Sequence, residues 1–185
     1  MHVDEAIRTR VSVKEYTDAT VPDGTIRELL QLAVLAPNHR MTEPLRFRVM
    51  SDAAKRAYGE ALGARKAKNV DEPDVARQIV DKVVGYNLSI PSMIAVLVHE
   101  DENPEIREED YATAFMAVQN LCLAAVARGL GTHIKTGAVM GEPSLREALD
   151  VPADHRLAAI VFLGEPAEVP DAKERTPAAE LTEHV

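Results

Sequence analysis

The longest apolar segment of the chain spans about residues 108 to 128 and contains the run DYATAFMAVQNLCLAAVARG. Its composition predicts a helix that is apolar on nearly all sides and ends at Gly129 as the C-cap. In a protein of 185 residues, such a helix must lie at the centre of the core or be covered by another subunit. We expect a subunit interface to cover part of it. The single cysteine, Cys122, lies in this helix and is predicted to be an inert core residue.

Hydrophobic periodicity and turn residues predict the order αα-β-αα-β-α-β-α-β for the whole chain, with the long helix as the fifth of the six helices. NPEIREED (103–110) is predicted to be a surface loop before the long helix. We place the other helices at 3–9, 21–36, 52–68, 73–86 and 142–149, and the strands at 45–50, 92–100, 131–137 and 156–166. This order indicates an α+β fold with helices around a small mixed or antiparallel sheet. Residues 1–185 are expected to form one domain, with 166–185 as a polar tail.

Composition excludes several classes of function. The net charge of −9 argues against diffuse binding to nucleic acid, and the chain has no Trp for a base-stacking platform. No apolar run approaches the ~20 residues needed to cross a bilayer, and the N-terminus lacks the apolar core of a signal peptide. One cysteine allows neither an intrachain disulfide nor a Cys-x-x-Cys pair. We therefore expect a cytoplasmic protein without nucleic-acid or membrane partners.

Common catalytic motifs are missing from the sequence. It contains no P-loop, no G-x-S-x-G nucleophile elbow and no H-E-x-x-H metal motif. GLG at 129–131 follows a helix instead of a strand and lacks the third glycine of a dinucleotide fingerprint. HEDE at 99–102 fits a hydrated loop better than a metal site. We assign neither a metal site nor a protein nucleophile.

Basic residues nevertheless recur in short groups within this acidic chain. In two of these groups, polar or charged residues occupy every second position. Arg10 and Ser12 would share one face of an extended segment, as would Lys173 and Arg175. Guanidinium, hydroxyl and ammonium groups that converge would form a phosphate pocket. From spacing alone, solvated surface is the more common explanation. The groups are Arg8, Arg10, Ser12 and Lys14; His39 and Arg40; Lys135 and Thr136; and Lys173 and Arg175.

Four segments, in order, resemble the small single-domain branch of the FMN-dependent nitroreductase family. RTRVSVKEYTDATVP resembles the opening R-R-S-x-R, and LAPNHRMTEPLRF resembles A-P-[ND]-H-[KR]…[EQ]-P-W-x-F. AVQNLCLAAVARGLGTHIKTGA resembles A-x-Q-N-L-x-L-A-A…G-L-G-x-x-W-[RK]-[ST]-G-A, and FLGEPAEVPDAKERTP resembles L-G-x-P…K-x-R-x-P. The likeness runs from Ala6 to Pro177 and is weakest between Ser51 and Asp110. It implies a nitroreductase-like fold and an intertwined homodimer whose tail, 166–185, wraps over the partner subunit.

The resemblance also implies an FMN site at the subunit interface. By matched position, Arg10 and Ser12 would bind the flavin phosphate, with Val11 supplying backbone contact and Lys14 lying near the ribityl chain or the ring. Lys173 and Arg175 would reach the phosphate as well. The ring would be lined by Pro37, Asn38 and His39 from the partner and by Ile134, Lys135, Thr136 and Gly137. That role would explain why an Asn-His-Arg triplet follows Pro37, where a turn alone would not need it.

This chain departs from the family pattern at four positions. Val11 replaces the second Arg, and Lys14 replaces an Arg, which keeps the charge but loses the bidentate fork. Leu45 and Ile134 stand where the family has Trp. The smaller Ile134 is expected to open or reshape the pocket near the ring.

The implied activity is an oxidoreductase that takes hydride from NADH or NADPH. It would reduce nitroaromatic, quinone or similar small acceptors by a ping-pong mechanism, and the cofactor would carry the chemistry. A flavin-binding protein for storage or sensing, without significant reductase activity, is the alternative. A scaffold dimer with a decayed site is disfavoured by the retained Arg10, Ser12, Lys173 and Arg175.

Overall fold

The computed structural model describes residues 1–185 and confirms the α+β fold and the predicted order of elements. The helices are α1 (Val3–Thr9), α2 (Asp23–Ala33), α3 (Asp52–Ala67), α4 (Pro73–Leu88), α5 (Pro104–Val126) and α6 (Pro143–Ala148). The strands are β1 (Leu45–Val49), β2 (Ser92–His99), β3 (Gly131–Lys135) and β4 (His155–Gly164). None of the helices combines the length and hydropathy that a membrane crossing requires.

The four strands form one antiparallel sheet in the order β1-β2-β4-β3. β2 and β4 lie in the middle and are buried over nearly their whole length, which agrees with their continuous apolar sequences. One face of the sheet packs on α2 and α5, and the other packs on α3 and α6. β3 is an edge strand, so its outer side is open for other contacts.

Helix α5 begins four residues earlier than predicted, so the prediction of a loop at 103–110 was wrong for most of that segment. Asn103 is the N-cap, and its side-chain oxygen accepts a hydrogen bond of 3.0 Å from the N–H of Glu105. Pro104 occupies the first turn, where its missing N–H costs nothing. The helix ends in a Schellman motif, with Gly129 at φ 76° and Leu130 N–H bonded to Ala125 C=O. Gly129 therefore closes the helix as predicted.

One face of α5 is buried within the subunit and the other is not. The buried face, which includes Ala114, Val118, Leu121 and Cys122, packs in the core beside α2. Its opposite face carries Met116, which is 38% exposed, and the partly exposed Leu123, while Phe115 packs against the core cluster. The C-terminal tail is also uncovered, since residues 167–185 are all exposed.

Candidate functional site

A basic cleft of about 530 Å³ lies where α1, the segment after it and the C-terminal tail meet the edge of β3. It brings together six of the predicted site residues: Arg10, Val11, Ser12, Lys14, Lys173 and Arg175. Arg8 adds a fifth cation, and Asp171 is the only acid in the lining. The cleft is thus locally positive within a chain whose net charge is −9. The remaining lining residues are Ile7, His133, Pro170 and Ala172.

Main-chain contacts fix the 10–17 segment on this side of the cleft. The N–H of Val13 donates to the carbonyl of Thr132 at 3.0 Å, which docks the segment alongside β3. Tyr86 of α4 donates its hydroxyl to the carbonyl of Lys14 at 2.9 Å. The N–H of Ala167 donates to the carbonyl of Glu15 at 2.9 Å, so the start of the tail is held against the same segment. Two of the five cations, Arg10 and Lys14, therefore sit on a segment with three separate supports.

Gly131 allows this segment to approach β3 closely. A Cβ at Gly131 would lie 2.6 Å and 2.8 Å from side-chain atoms of Val13, closer than such atoms ever pack. Val13 is buried, while its neighbours Ser12 and Lys14 are exposed toward the cleft side. The second glycine of GLG thus serves packing between β3 and the 10–17 segment.

The outer edge of β3 supplies unpaired backbone groups next to the cleft. The carbonyl of Thr132 points away from β4, toward Val13. Because backbone groups of alternate residues point to the same side of a strand, the N–H and C=O of Ile134 also point outward. Ile134 itself packs its side chain against the core cluster beside α5. Its contribution to a ligand would come from the backbone.

His133 is a site residue that the sequence reasoning missed. It lines the basic cleft, and its Nε2 lies 3.2 Å from Nζ of Lys135, two residues along the same face of β3. Partial burial lowers the pKa of His133 to about 4, helped by the charges of Lys135 and Lys14. Partial burial lowers the pKa of Lys135 to about 8, helped by Lys66 and Lys14. Strand alternation in GTHIK could have identified this pair.

Thr136 and Gly137, also predicted as site residues, lie beyond the end of β3. They line a second cleft of about 510 Å³ together with Tyr111, Ala138 and Arg156, among others. Gly137 has φ 105°, a backbone conformation that residues other than glycine rarely adopt. The chain can turn sharply there and present its backbone to a ligand. The β3 edge connects the basic cleft with this second cleft.

Pro37, Asn38 and His39 do not line either cleft of their own subunit. They begin a loop, 37–43, that is held against the start of α5. His39 Nδ1 lies 2.7 Å from Glu109 Oε1, and this hydrogen bond is the main reason why the pKa of Glu109 is lowered. Asn38 accepts a 2.8 Å hydrogen bond from the N–H of Glu43. In this chain the loop is separate from the cationic residues that the resemblance assigns to the same flavin.

The loop also contains three residues in the left-handed region: Arg40 at φ 63°, Met41 at φ 50° and Glu43 at φ 47°. Such conformations are strained for residues other than glycine and persist where the surroundings fix them. Thr42 donates its hydroxyl to Asp110, which is 1% exposed. Arg40 pairs with Glu105 at 3.1 Å and with Glu109 at 3.3 Å. The first two turns of α5 thus determine the shape of the loop.

Metal ligation finds no support in the side-chain arrangement. No group of three or more His, Cys, Asp or Glu side chains is placed to hold a metal ion. Cys122 is fully buried, and burial raises the pKa of its thiol.

Comparison with known proteins identifies the family. The model of the nitroreductase family matches residues 7–165. The "Putative NAD(P)H nitroreductase YfhC" of Bacillus subtilis (strain 168) is 33% identical over 174 residues, which cover 94% of this chain and 89% of that protein.

Two solved structures agree. A nitroreductase-like family protein from Bacillus cereus matches with a TM-score of 0.86 at 28% identity, covering 100% of this chain and 96% of that one. A "putative nitroreductase" from Desulfovibrio desulfuricans, solved in complex with FMN, matches with a TM-score of 0.76 at 28% identity, covering 100% and 97% of the two chains. The chain belongs to the nitroreductase family.

Proposed function

We propose that the chain binds FMN, with the flavin phosphate in the basic cleft and the ring along the outer edge of β3. The convergence of Arg10, Lys173 and Arg175 in one cleft is the observation that carries this proposal. These residues come from opposite ends of the sequence, and scattered surface cations would not meet in this way. A relative of the same fold holds FMN, which agrees with it.

The residues present fit a phosphate monoester. Two guanidinium groups can each donate two hydrogen bonds to phosphate oxygens, and Ser12 adds a hydroxyl donor. Lys14 and Lys173 add point charges. Val11 can contribute its backbone, although it cannot replace the side chain of the second Arg in the family pattern. Asp171 opposes this field only in part, since five cations line the same cleft.

The β3 side fits the polar edge of a flavin ring. Ile134 offers an outward N–H and C=O, and Gly137 allows close approach of the backbone. Thr136 lies between them and lines the second cleft. Lys135 places a positive charge on the same strand. The chemistry that bound FMN would supply here is hydride acceptance from a nicotinamide and electron transfer to an acceptor.

The chain's own residues support that chemistry by binding and electrostatics. A positive charge at Lys135 or Lys14 favours negative charge that develops on a bound ligand, and a preformed charge needs no reorganisation during the reaction. The structure contains no nucleophile–base pair at either cleft, and we assign no protein residue to proton transfer. Because the side chain of Ile134 packs against the core, this position brings only its backbone to the ring side.

We also propose a homodimer in which the loop 37–43 of one subunit completes the flavin site of the other. Pro37, Asn38 and His39 would then contact the ring from the partner. Met116 and the partly exposed Leu123 on the uncovered face of α5, and the exposed Leu35 just after α2, support such an interface. The tail at 166–185 would continue across the partner subunit.

The proposed reaction is the reduction of nitroaromatic, quinone or similar small acceptors by NADH or NADPH in a ping-pong cycle. We further propose that it takes place in the cytoplasm, where both nicotinamides are available. The names of relatives such as YfhC support the donor and the reaction class. Storage or sensing of FMN without turnover is the alternative, because the cationic cleft alone explains binding and not reduction.

An anaerobic titration separates the two functions. The purified protein is loaded with FMN, and the flavin absorbance is followed while NADH and, separately, NADPH are added. Loss of absorbance, followed by recovery on adding a quinone or nitroaromatic, is the expected result. A bound flavin that keeps its absorbance with both donors would contradict the reductase and support the binding role.

A further inference from the structure

We propose that His133 is a positioning residue that holds the ammonium group of Lys135 in place by accepting a hydrogen bond at Nε2. The role of this contact in flavin binding rests on the proposed function, in which Lys135 is the cation on the ring side of the FMN site. The contact itself is seen in the structure. His133 lies at an unspecified position of the third segment that resembles the family, so the resemblance assigns it no role, and its position in GTHIK gives it this contact.

The geometry comes from the pleat of β3. His133 and Lys135 are two residues apart, so their side chains leave the strand on the same face. Nε2 of His133 and Nζ of Lys135 are 3.2 Å apart, within hydrogen-bond distance. The same ammonium lies 5.1 Å from the centre of the Phe162 ring, on the neighbouring strand β4. The ammonium is therefore held between an imidazole and an aromatic face.

The direction of the hydrogen bond follows from which of the two groups can donate a proton. An ammonium group can only donate, so Nε2 must accept, and the imidazole must be neutral with its proton on Nδ1. The surroundings keep the imidazole neutral. Partial burial lowers the pKa of His133 to about 4, and the charges of Lys135 on β3 and Lys14 on the 10–17 segment act in the same direction. A hydrogen bond with the Val13 backbone opposes this shift. Lys66 on α3 and Lys14 act in the same direction on Lys135.

A neutral acceptor differs from a carboxylate in its effect on the charge. A carboxylate would orient the ammonium and cancel most of its field, because the pair is close to neutral at a distance. Imidazole is neutral, so it orients the ammonium and leaves its positive charge uncompensated. Nζ of Lys135 has no other hydrogen-bond partner and belongs to no ion pair. The site thus keeps an oriented and uncompensated cation, which favours negative charge on a nearby electron-accepting ligand.

The first experiment uses the FMN-free protein and does not depend on flavin binding. Imidazole ¹⁵N NMR of selectively labelled protein reports the tautomer and the titration of His133, assigned with His133→Gln. The expected result is the Nδ1–H tautomer, without protonation between pH 8 and pH 5.5. A Nε2–H tautomer, or a titration near pH 6.5, would overturn the proposal whatever the fate of the FMN assignment.

The second experiment measures the midpoint potential of bound FMN in a double-mutant cycle. His133→Leu removes the acceptor, while His133→Gln places a carbonyl oxygen near the position of Nε2. We expect His133→Leu to lower the potential in the same direction as Lys135→Met, and His133→Gln to restore most of it. On a Lys135→Met background, His133→Leu should cause no further shift.

Additive shifts in this cycle would overturn the proposal, because they would mean that His133 acts independently of Lys135. A leucine variant that merely loosened the fold would lower the potential equally with and without Lys135. If wild-type protein binds no FMN, the proposed function fails, and the NMR result alone decides whether His133 and Lys135 are paired.

Discussion

At the level of single residues, the basic cleft makes Arg10 the most informative position. Its guanidinium lies in a cleft with Lys14, Lys173 and Arg175, and it is only partly exposed. Replacement of Arg10 by Ala should weaken FMN binding by about 1.5–3 kcal/mol, the value of a hydrogen bond to a charged group. This corresponds to a roughly ten- to 150-fold higher Kd, measurable by quenching of flavin fluorescence.

Arg77 provides the matched control for that measurement. It is an exposed arginine on α4 without an ion pair, and Arg77→Ala removes the same charge from a different surface. Its effect on the Kd should stay within a factor of about two. If both variants weaken binding equally, net charge controls the affinity, and Arg10 has no specific contact.

His133 leads to a prediction about pH and stability. The native chain holds this imidazole neutral down to about pH 4, while the unfolded chain binds a proton near pH 6.5. Between these values the unfolded state carries more protons at this position, so the free energy of unfolding falls as the pH falls. His133→Gln lacks this contribution. Denaturant titrations from pH 7.5 to pH 4.5 should show wild type losing more stability than the variant, and parallel curves would contradict the account.

At the level of elements, the loop 37–43 depends on helix α5. Thr42 and Asn38 both donate hydrogen bonds to the buried carboxylate of Asp110, whose other oxygen has no partner. Thr42→Val removes one donor from a buried acceptor and should cost about 1–3 kcal/mol in the free energy of unfolding. Thr42→Ser keeps the hydroxyl, and its cost should be less than half as large. Equal costs would show that the methyl group, and not the hydrogen bond, holds the loop.

The contact between β3 and the 10–17 segment gives a second prediction at this level. A methyl group at Gly131 would overlap Val13, so Gly131→Ala should destabilise the fold by about 1–3 kcal/mol and also weaken FMN binding. Gly24, in the first turn of α2, faces open space, and Gly24→Ala should leave FMN binding unchanged. Thermal unfolding and FMN titration of both variants test this. Normal FMN affinity in Gly131→Ala would separate the segment from the site.

Elements were easier to predict than their ends. Apolar runs, bounded by Pro or Gly residues that end helices or form turns, located every strand and α-helix in the right order. The start of α5 was missed because NPEIREED is polar and resembles a loop, although Asn103 before Pro104 is a helix-start signal. The left-handed residues at 40, 41 and 43 could not be predicted, since Arg, Met and Glu do not favour that conformation and tertiary hydrogen bonds impose it.

The candidate site was predicted in parts. The resemblance assigned the site residues, and the structure brings six of them, four of which are cationic, into one cleft. It could not reveal His133, whose role depends on the distance between two side chains of one strand. The placement of Pro37, Asn38 and His39 against a partner stays a prediction, because it depends on a second chain.

At the level of the whole molecule, the uncovered apolar face of α5 supports the proposed homodimer. We expect a mass of twice the 20.2 kDa chain by sedimentation or light scattering. Met116→Arg puts a charge into the proposed interface and should shift the protein toward the monomer, with loss of FMN. Val75→Arg is the control, because Val75 is 40% exposed on α4, outside that face. A wild-type monomer that binds FMN fully would contradict the shared site.

A crystal structure of the protein with FMN tests the central claim most directly. We expect the phosphate within hydrogen-bond distance of Arg10, Ser12 and Arg175, with the ring along Ile134–Gly137. We also expect Pro37–His39 from a second subunit against that ring. A flavin bound elsewhere on the chain, or a phosphate without contact to Arg10 and Arg175, would contradict the assignment of the basic cleft.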